Sequence, residues 1–244
     1  MIALIDADPL VYIAAWAAKD EPLFATAEMR NSIIRLLTSL KYKGATHAIF
    51  ACGPDGSFMV KKAMYPTYKA KRTSHEDIMK SKAELQHMLR EISVWHPGIE
   101  ADDIIAKLAV TYKDNCLIVS NDKDLLNIPG THSKLKDDPV FIVSEQEASM
   151  RFWTQMVVGD SSDNITGIAG AGPVAAAKIL EYCITDKERE EAVIAAYIAK
   201  YKDAWLPWYQ QNLTLLGFVD LDNTVLSDKN ITPKTVDEWL ELYA

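Results

Sequence analysis

The sequence has few cysteines, and none of them is spaced for zinc. Cys52, Cys116 and Cys183 are the three cysteines among 244 residues, and no CxxC pair occurs. The five histidines also lack the spacing of zinc ligands. So sparse a set of thiols excludes a disulfide-rich secreted scaffold and predicts a protein of the reducing cytoplasm.

Long apolar runs are absent as well. No window holds 18 uninterrupted apolar residues, so we expect neither a membrane span nor a membrane partner. The apolar start of the chain has no basic residues ahead of it and is interrupted by Asp6 and Asp8, so a secretory signal is not expected. Internal repeats, low-complexity tracts and long linkers are missing too.

Positive charge is not in excess. The chain has 26 basic and 34 acidic residues, a net charge of −8, which by itself argues against a nucleic-acid partner. Eight of the acids fall in four short motifs, and without them basic and acidic residues are equal in number. If divalent cations neutralise these eight, the acidic composition no longer excludes a phosphate-rich partner. The eight are Asp6, Glu100, Asp102, Asp103, Asp122, Asp124, Asp160 and Asp163.

Short apolar runs alternate with helical patterns in the first two thirds of the chain. This order predicts an α/β fold with a largely parallel sheet, whose ligands bind beyond the carboxyl ends of the strands. Asp6 and Asp122 follow the first and third predicted strands, so two acidic motifs should meet at one sheet edge. The predicted strands are 2–5, 46–51, 116–120 and 141–143, and the predicted helices are 27–41, about 74–93 from an N-cap at Ser74, 101–112 and 145–158.

Each acidic motif has an ordinary explanation when taken alone. Acids at 100–103 suit the positive end of a helix dipole, those at 122 and 124 suit a turn, and those at 160 and 163 suit a helix cap. Together, four acidic sites at one place would repel each other strongly unless cations neutralise them. Mg²⁺ or Mn²⁺ fits oxygen ligands best, and two ions roughly 3.5–4 Å apart serve phosphodiester hydrolysis.

Two other segments suit phosphate binding. Residues 61–72 hold five basic side chains, two tyrosines and no acid, although a solvated loop is the plain alternative. Residues 164–181 place three glycines ahead of Pro173 and an alanine-rich helix. Glycine-rich backbone amides at a helix start can bind phosphate without reading bases.

Five motifs together carry a family resemblance. IDAD, YPTYKAKR, IEADD, SNDKDLLN and GDSSDNITGIAGAGP occur in the order seen in the 5′-nuclease (flap endonuclease-like) superfamily. Over roughly residues 1–220 the chain resembles the bacteriophage 5′–3′ exonucleases and the 5′-nuclease domain of bacterial DNA polymerase I. The resemblance implies a PIN-like α/β nuclease domain over 1–158 with a short basic arch near 57–95. A helix-hairpin-helix (H3TH) and helical region over 159–244 would follow.

The resemblance also implies an activity and its residues. It implies a 5′–3′ exonuclease or flap endonuclease that hydrolyses DNA with two Mg²⁺ or Mn²⁺ ions, with K⁺ at the hairpin. Asp6, Glu100, Asp102, Asp103 and Asp122 would surround the first ion, and Asp122, Asp124, Asp160 and Asp163 the second. Lys69 would contact the scissile phosphate and, with Asp122, form the catalytic pair. The implied DNA-binding residues are Lys61, Lys62, Tyr68, Lys69, Lys71, Arg72, Gly167, Gly170, Gly172 and Lys178.

The expected partner is DNA with a 5′ end, nick or flap, an RNA–DNA hybrid being an alternative, and the chain is expected to act as a monomer. Two departures from the family pattern stand out. The second strand lacks its usual terminal aspartate, so that either Asp55 replaces it or the position has no acid. Only 31 positions separate Lys69 from Glu100, which is short for a full helical arch and predicts looser threading of a 5′ strand.

Three other functions would share part of this pattern. A PIN-like ribonuclease would share the acidic edge but not the glycine-rich segment at 164–181. A catalytically impaired DNA-binding protein would have lost several of the acids that are present here. A phosphatase built on IDAD would need a DxDx[TV] motif, whereas Asp8 is followed by Pro9 and Leu10.

Overall fold

A computed structural model describes residues 1–54, 59–71, 76–136, 138–221, 226 and 231–243, so the expectations for Asp55, Arg72 and Ser74 fall outside the described residues. The strands are β1 (Ile2–Asp6), β2 (His47–Ala51), β3 (Ser93–Val94), β4 (Cys116–Val119), β5 (Gly130–Ser133), β6 (Phe141–Val143), β7 (Gly159–Asp160), β8 (Ile165–Thr166) and β9 (Lys234–Thr235). The α-helices are α1 (Asp8–Ala17), α2 (Ala25–Tyr42), α3 (Val60–Met64), α4 (Glu76–Ile92), α5 (Ala101–Tyr112), α6 (Glu145–Val158), α7 (Pro173–Leu180), α8 (Asp186–Tyr201), α9 (Trp205–Leu216) and α10 (Val236–Tyr243). Short 3₁₀ turns cover Pro22–Phe24, Lys113–Asn115, Asp124–Asn127 and Lys202–Ala204.

The central sheet has the strand order β3-β2-β1-β4-β5-β6. β1 pairs in parallel with β2 and β4, β2 does so with β3, and β4 with β5. β6 runs antiparallel to β5, and β9 antiparallel to β2. The expected α/β fold with a mostly parallel sheet is therefore confirmed. β1 and β4 end side by side, which brings Asp6 to the same sheet edge as the loop that follows Val119.

Both faces of this sheet are covered, as the apolar runs of the strands require. On one face, α1, α2, α4 and α10 pack over Ala3, Ile5 and Phe50. On the other face, α5 packs Ile104 and Ile105 against strand residues of the alternate set. Since Asp6 follows Leu4 by two positions, it lies on the face that α5 covers.

The strongly patterned elements have the expected bounds. Predictions for α5, α6 and β6 are confirmed at both ends, and α6 begins with a capping box between Ser144 and Glu147. The short strands β3, β5 and β9 were not predicted. They have two to four residues each, and their pairing depends on neighbouring strands rather than on a local pattern.

Helices α6 to α9 form a second apolar cluster beyond the sheet. Its buried members include Trp153, Met156 and Tyr197, together with Tyr68 from the basic loop at residues 65–71. The described residues from Phe218 onward pack back against the α/β part, where β9 pairs with β2 and Trp239 donates to Ala48 O at 3.0 Å. The predicted helical region 159–244 is thus divided by its packing, because its last segment supplies apolar side chains to both faces of the sheet. Among the described helices, none has the length and apolar character needed to cross a bilayer.

Candidate metal centre

Three carboxylates meet at the start of α5. Glu100 has extended backbone angles at the N-cap position, and Asp102 and Asp103 lie in the first turn. One oxygen from each of the three lies within 4.8 Å of the others, as ligands of a single cation would. The N-terminal end of the helix dipole favours this negative charge. Asp103 also accepts from the backbone N–H of Val219 at 2.8 Å, which ties the site to the returning segment of the chain.

Two lysines from the basic segment contact this cluster. Lys61 Nζ lies 3.2 Å from Asp103 Oδ1 and 3.8 Å from Glu100 Oε2, and its side chain is 5% exposed. Lys69 Nζ hydrogen-bonds Glu100 Oε1 and lies 3.7 Å from Asp163 Oδ2. Burial opposes both positive charges, but the surrounding carboxylates outweigh it and raise the pKa of each ammonium group. Both lysines therefore stay protonated.

Lys61 and Tyr68 differ from their expected place on a DNA-binding surface. Lys61 is buried against Asp103, so it neutralises the acidic cluster instead of facing outward to flanking phosphates. Tyr68 is 2% exposed and its hydroxyl donates to Glu100 Oε2 at 2.9 Å, which leaves its ring no face for a base. Lys62 and Lys71, by contrast, are exposed as expected.

Asp6 lies at the end of β1, at the sheet edge where the chain after β4 brings Ser120 and Asp122. Its Oδ2 accepts from Ser120 Oγ at 2.7 Å, and Ser120 Oγ in turn accepts from the backbone N–H of Asp122 at 2.9 Å. Ser120 thus links the ends of β1 and β4. Burial, followed by the charge of Asp8, raises the pKa of Asp6 to about 7. Burial and the charge of Asp103 hold the pKa of Asp102 well above its usual value.

Glu100 shows the opposite shift. Burial alone would raise its pKa, but Lys69 and Lys61 lower it below the usual value. The cluster therefore contains a firmly ionised carboxylate beside others whose charge is unfavourable without a further cation. Such a set of oxygen donors fits a hard divalent ion.

A second acidic group contains Asp124, which follows β4, and Asp160, which is the last residue of β7. Asp124 Oδ1 accepts from Gln155 Nε2 at 2.6 Å, and Gln155 accepts from Asn127 Nδ2 at 2.6 Å. Asp160 Oδ2 lies 2.8 Å from Lys123 Nζ. Burial raises the pKa of Asp124, and Asp122 and Asp160 add to the rise, so these three acids act on one another.

Asp122 and Asp163 connect the first acidic group, around Glu100, with the second acidic group, which contains Asp124 and Asp160. Asp122 is exposed, and its charge acts both on Asp6 and on Asp124, which agrees with a position between the groups. Asp163 was expected at the second ion with Asp124 and Asp160, and its carboxylate also lies 3.7 Å from Lys69 Nζ, which contacts the first group. A backbone contact accompanies this ion pair, because the N–H of Lys69 donates to Asp163 O at 2.9 Å.

Four residues have roles in the site that the sequence did not predict. Ser120 and Gln155 orient acids through hydrogen bonds, and the phenol of Tyr68 does so for Glu100. Asp8 is the fourth, since its carboxylate accepts from the backbone N–H of Gly53. Only Asp8 had a detectable signal for such a role, namely its place as the second acid of the IDAD motif.

The glycine-rich turn lies between α6 and α7. Gly167 is buried, and a Cβ there would come within 2.3 Å of Val157 O, so this glycine serves close packing. Gly170 is exposed with φ +83°, a conformation that favours glycine. Tyr201 holds the turn, because its hydroxyl accepts from Ala169 N at 2.9 Å and donates to Gly167 O at 3.1 Å. Gly172 is half-buried and Lys178 is exposed.

A family model described as 5′-3′ exonuclease, N-terminal resolvase-like domain, matches residues 1–158. The chain belongs to this family. Flap endonuclease Xni of Pectobacterium atrosepticum is 33% identical over 153 residues, which are 56% of this chain and 59% of that protein. DNA polymerase I of Mycobacterium bovis is 27% identical over 207 residues, 74% of this chain and 23% of the polymerase. The chain thus spans less than two thirds of the length of these relatives.

Solved structures share the fold at low sequence identity. T5 5′-exonuclease with divalent metal ions (zinc) bound has a TM-score of 0.57 and 17% identity, covering 88% of this chain and 99% of that chain. The catalytic core of Rad2 in complex with DNA substrate has a TM-score of 0.54 and 16% identity, covering 99% and 85%. The architecture is therefore that of the flap endonuclease folds.

Proposed function

We propose that this chain is a divalent-metal-dependent 5′-nuclease that hydrolyses phosphodiester bonds in DNA, as a 5′–3′ exonuclease or flap endonuclease. The observation that carries the proposal is the convergence of Glu100, Asp102 and Asp103 on one point, within 4.8 Å of each other. Membership of the 5′-3′ exonuclease family supports it.

The charge of the first group supports the use of metal. Four carboxylates act on two ammonium groups, which leaves two negative charges uncompensated when all four are ionised. Taking unpaired charges out of water is unfavourable by several kcal/mol each, on the order of magnitude known for buried ions. Divalent cations would remove this penalty, and Mg²⁺ or Mn²⁺ suits a site made of oxygen atoms alone. The four carboxylates are those of Glu100, Asp102, Asp103 and Asp163.

Two metal positions follow from the two acidic groups. Asp6, Glu100, Asp102 and Asp103 would hold the first ion, Asp124 and Asp160 the second, and Asp122 would act between them. When bound, such ions supply an activated water and neutralise charge on the scissile phosphate. Asp163 remains a proposed ligand that faces the first group across Lys69.

The protein's own residues would supply the rest of the chemistry. Lys69 is a protonated, nearly buried cation beside the acids, positioned to stabilise charge that develops on a phosphate oxygen in the transition state. The hydroxyl of Tyr68 orients Glu100, and Lys61 offsets charge within the cluster. Both roles keep the carboxylates in place without touching the substrate.

DNA would extend from this edge along two surfaces. Lys62 and Lys71 are exposed on the same basic segment as Lys69 and suit flanking phosphates, as does Arg72 by sequence. The turn with Gly170 and Gly172, followed by Lys178 on α7, suits the backbone of the duplex, with K⁺ bound by carbonyl groups there. Such contacts carry no base information, so substrate choice would follow DNA structure, with a 5′ end, nick or flap preferred. The nuclease unit 1–158, a monomeric state and the cytoplasmic location stay predictions.

The test is digestion of flap, nicked and blunt duplexes labelled at the 5′ or 3′ end, with Mg²⁺ or Mn²⁺ and with EDTA as control. We expect short products from the 5′ side, new 3′-hydroxyl ends and no cleavage in EDTA. An RNA strand and an RNA–DNA hybrid serve as further substrates. Degradation from 3′ ends, or a preference for single-stranded RNA, would contradict the proposal.

A further inference from the structure

The register of the sheet leaves no acid beside Asp6 on β2. The parallel pairing places Ala51 opposite Asp6, and Ala51 is 1% exposed with an apolar side chain. The next residues, Cys52 and Gly53, carry no carboxylate either. At this edge of the sheet, β2 therefore supplies no charge to the site.

Asp8 places a carboxylate close to that position from another element. It is the first residue of α1, and both of its carboxylate oxygens lie 3.1 Å from the backbone N of Gly53. A Cβ on Gly53 would come within 2.6 Å of Asp8 Oδ2 and 3.6 Å of Ala101 N. The carboxylate of Asp8 thus lies over the end of β2 and near the first residue of α5, where the three clustered acids begin.

The charges around Asp8 belong to the metal centre. Asp8 is two residues from Asp6, and its charge interacts with those of Asp6, Glu100 and Lys69. Lys82, on α4, also acts on it. An acid at the first turn of a helix can simply favour the helix dipole. That role requires neither a half-buried carboxylate nor a position among other acids, both of which are unfavourable.

We propose that Asp8 is a further carboxylate of the metal centre, which replaces on α1 the acid that β2 does not supply. It acts on the cation held near Asp6 and Glu100. The inference rests on the proposed function, since it assumes that this centre binds divalent ions. Gly53 is part of the arrangement, because its backbone N–H orients the carboxylate and its missing side chain gives Asp8 space.

The test measures binding of Mn²⁺ alone by isothermal titration calorimetry, on the whole chain without DNA. Asp8→Asn keeps an oxygen for the Gly53 N–H and removes only the charge. Removal of groups that support metal ligands typically lowers metal affinity about 10–100-fold, and we expect a loss in that range. Asp20→Asn is the matched control, because Asp20 is an exposed acid just beyond the other end of α1. It should bind Mn²⁺ as the unchanged protein does.

Asp8 could act as a carboxylate of the metal centre or as an acid that favours the helix dipole, and the two roles predict opposite changes in Tm for Asp8→Asn in EDTA. A metal-centre carboxylate repels Asp6 and Glu100 when no ion is present, so Asp8→Asn should leave the Tm unchanged or raise it. A helix-dipole acid stabilises α1, so its loss should lower the Tm. A lower Tm in EDTA together with unchanged Mn²⁺ affinity would overturn the inference.

A second variant restores the charge at the register position. Ala51→Asp in the Asp8→Asn background returns a carboxylate beside Asp6, and Mn²⁺ affinity should recover at least in part. Recovery would support the inference independently of stability. Asp8→Asn with unchanged Mn²⁺ affinity, in a chain that binds Mn²⁺ and cleaves DNA, would reject the role of Asp8 and leave the proposed function standing. An unchanged chain that binds no Mn²⁺ would overturn both.

Discussion

Lys69 is bonded to Asp163 through its backbone as well as through its charge. The N–H of Lys69 donates to Asp163 O at 2.9 Å, while its Nζ lies 3.7 Å from Asp163 Oδ2. Next to this contact, Asn164 Nδ2 donates to Thr67 O at 2.8 Å. Lys69 and Asn164 both have left-handed backbone angles, with φ of 54° and 59°. Such angles are unfavourable for side-chain-bearing residues, so tertiary contacts must hold the basic loop against the turn.

This fixed position predicts a chemical role for Lys69. Lys69→Met keeps the length of the side chain and removes its charge. A methionine adopts the φ of 54° at this position no less readily than a lysine does. We expect the single-turnover cleavage rate on bound DNA to fall on the order of a hundredfold, because a donor aimed at developing charge is lost. The dissociation constant for DNA should change little. Rapid-quench kinetics at saturating enzyme give the rate, and fluorescence anisotropy in Ca²⁺ gives the affinity.

Lys62→Met is the matched control for this prediction. Lys62 is exposed on α3, whereas its neighbour Lys61 is buried, and Lys62 should only add affinity for a flanking phosphate. Its loss should weaken DNA binding and reduce the slope of log affinity against log salt concentration by about one. The single-turnover cleavage rate at saturating enzyme should stay nearly normal. Equal effects of the two substitutions on rate and affinity would mean that Lys69 is only part of a general basic surface.

Much of the architecture followed from sequence patterns. The bounds of α5 and α6 were predictable because apolar spacing and the Ser144 cap act within a few residues of each other. The meeting of Asp6 with Asp122 followed from the rule that parallel strands end at one edge. Membership of the 5′-3′ exonuclease family followed from motif order, as the match over 1–158 confirms.

The burial of particular side chains could not be predicted. Lys61 looked like one more member of a basic surface, yet α3 turns it inward to Asp103. Tyr68 looked suitable for stacking on a base, yet it packs into the helical cluster. A charged or amphipathic residue in a loop or in a helix of a single turn has no periodic signal, so the direction of its side chain depends on contacts that are distant in sequence.

Asp122 lies between the two acidic groups, which predicts a large effect of its removal. Asp122→Asn should lower Mg²⁺-dependent cleavage by orders of magnitude, while DNA binding survives because the phosphate-binding residues are elsewhere. Stability should hardly change, since the side chain is exposed and, among the described residues, accepts a single hydrogen bond, from the Asp124 N–H at 2.9 Å. Asp114→Asn, at an exposed acid beyond α5, is the control. A near-normal cleavage rate for Asp122→Asn would remove Asp122 from the proposed site.

The buried acids also predict how stability depends on pH in EDTA. The pKa of Asp6 is about 7 in the folded chain and 3.8 for a free aspartate side chain, so the folded state binds more protons between these values. The stabilisation from protonated Asp6 is complete below about 3.8 and is lost as the pH rises through 7. Asp8 and Asp102 shift in the same direction. The Tm should therefore fall as the pH rises through this whole range, and the last part of the fall, about 2 °C, should lie between about pH 6.5 and 7.5.

Two comparisons isolate this effect. Asp6→Asn should show a smaller fall in Tm, and saturating Mg²⁺ should reduce the fall in the unchanged protein by neutralising the carboxylates. His132 shifts stability the other way, because burial lowers its pKa and the unfolded state gains protons below about 6.5. Above about pH 6.5 the imidazole of His132 is mostly neutral in both the folded and the unfolded state, so its contribution to the pH dependence of the Tm is small there. A Tm that rises with pH in EDTA would contradict the conclusion that these buried acids have raised pKa values in the folded chain.

The last prediction concerns Tyr201, whose hydroxyl holds the glycine-rich turn by bonds to Ala169 N and Gly167 O. Its ring stacks on Trp208 with centroids 5.4 Å apart, so Tyr201→Phe should keep the packing and lose only the two bonds. Each bond is worth about 0.5–1.5 kcal/mol, and the freed turn must then be ordered when it binds a phosphate. We expect several-fold weaker binding of duplex DNA by anisotropy, with an unchanged single-turnover rate at saturation. Tyr42→Phe, which alters a hydroxyl on a 90% exposed side chain, should change neither quantity. A Tyr201→Phe protein that binds normally but cleaves slowly would instead make the turn part of the catalytic geometry, since only positioning of the scissile phosphate would then depend on it.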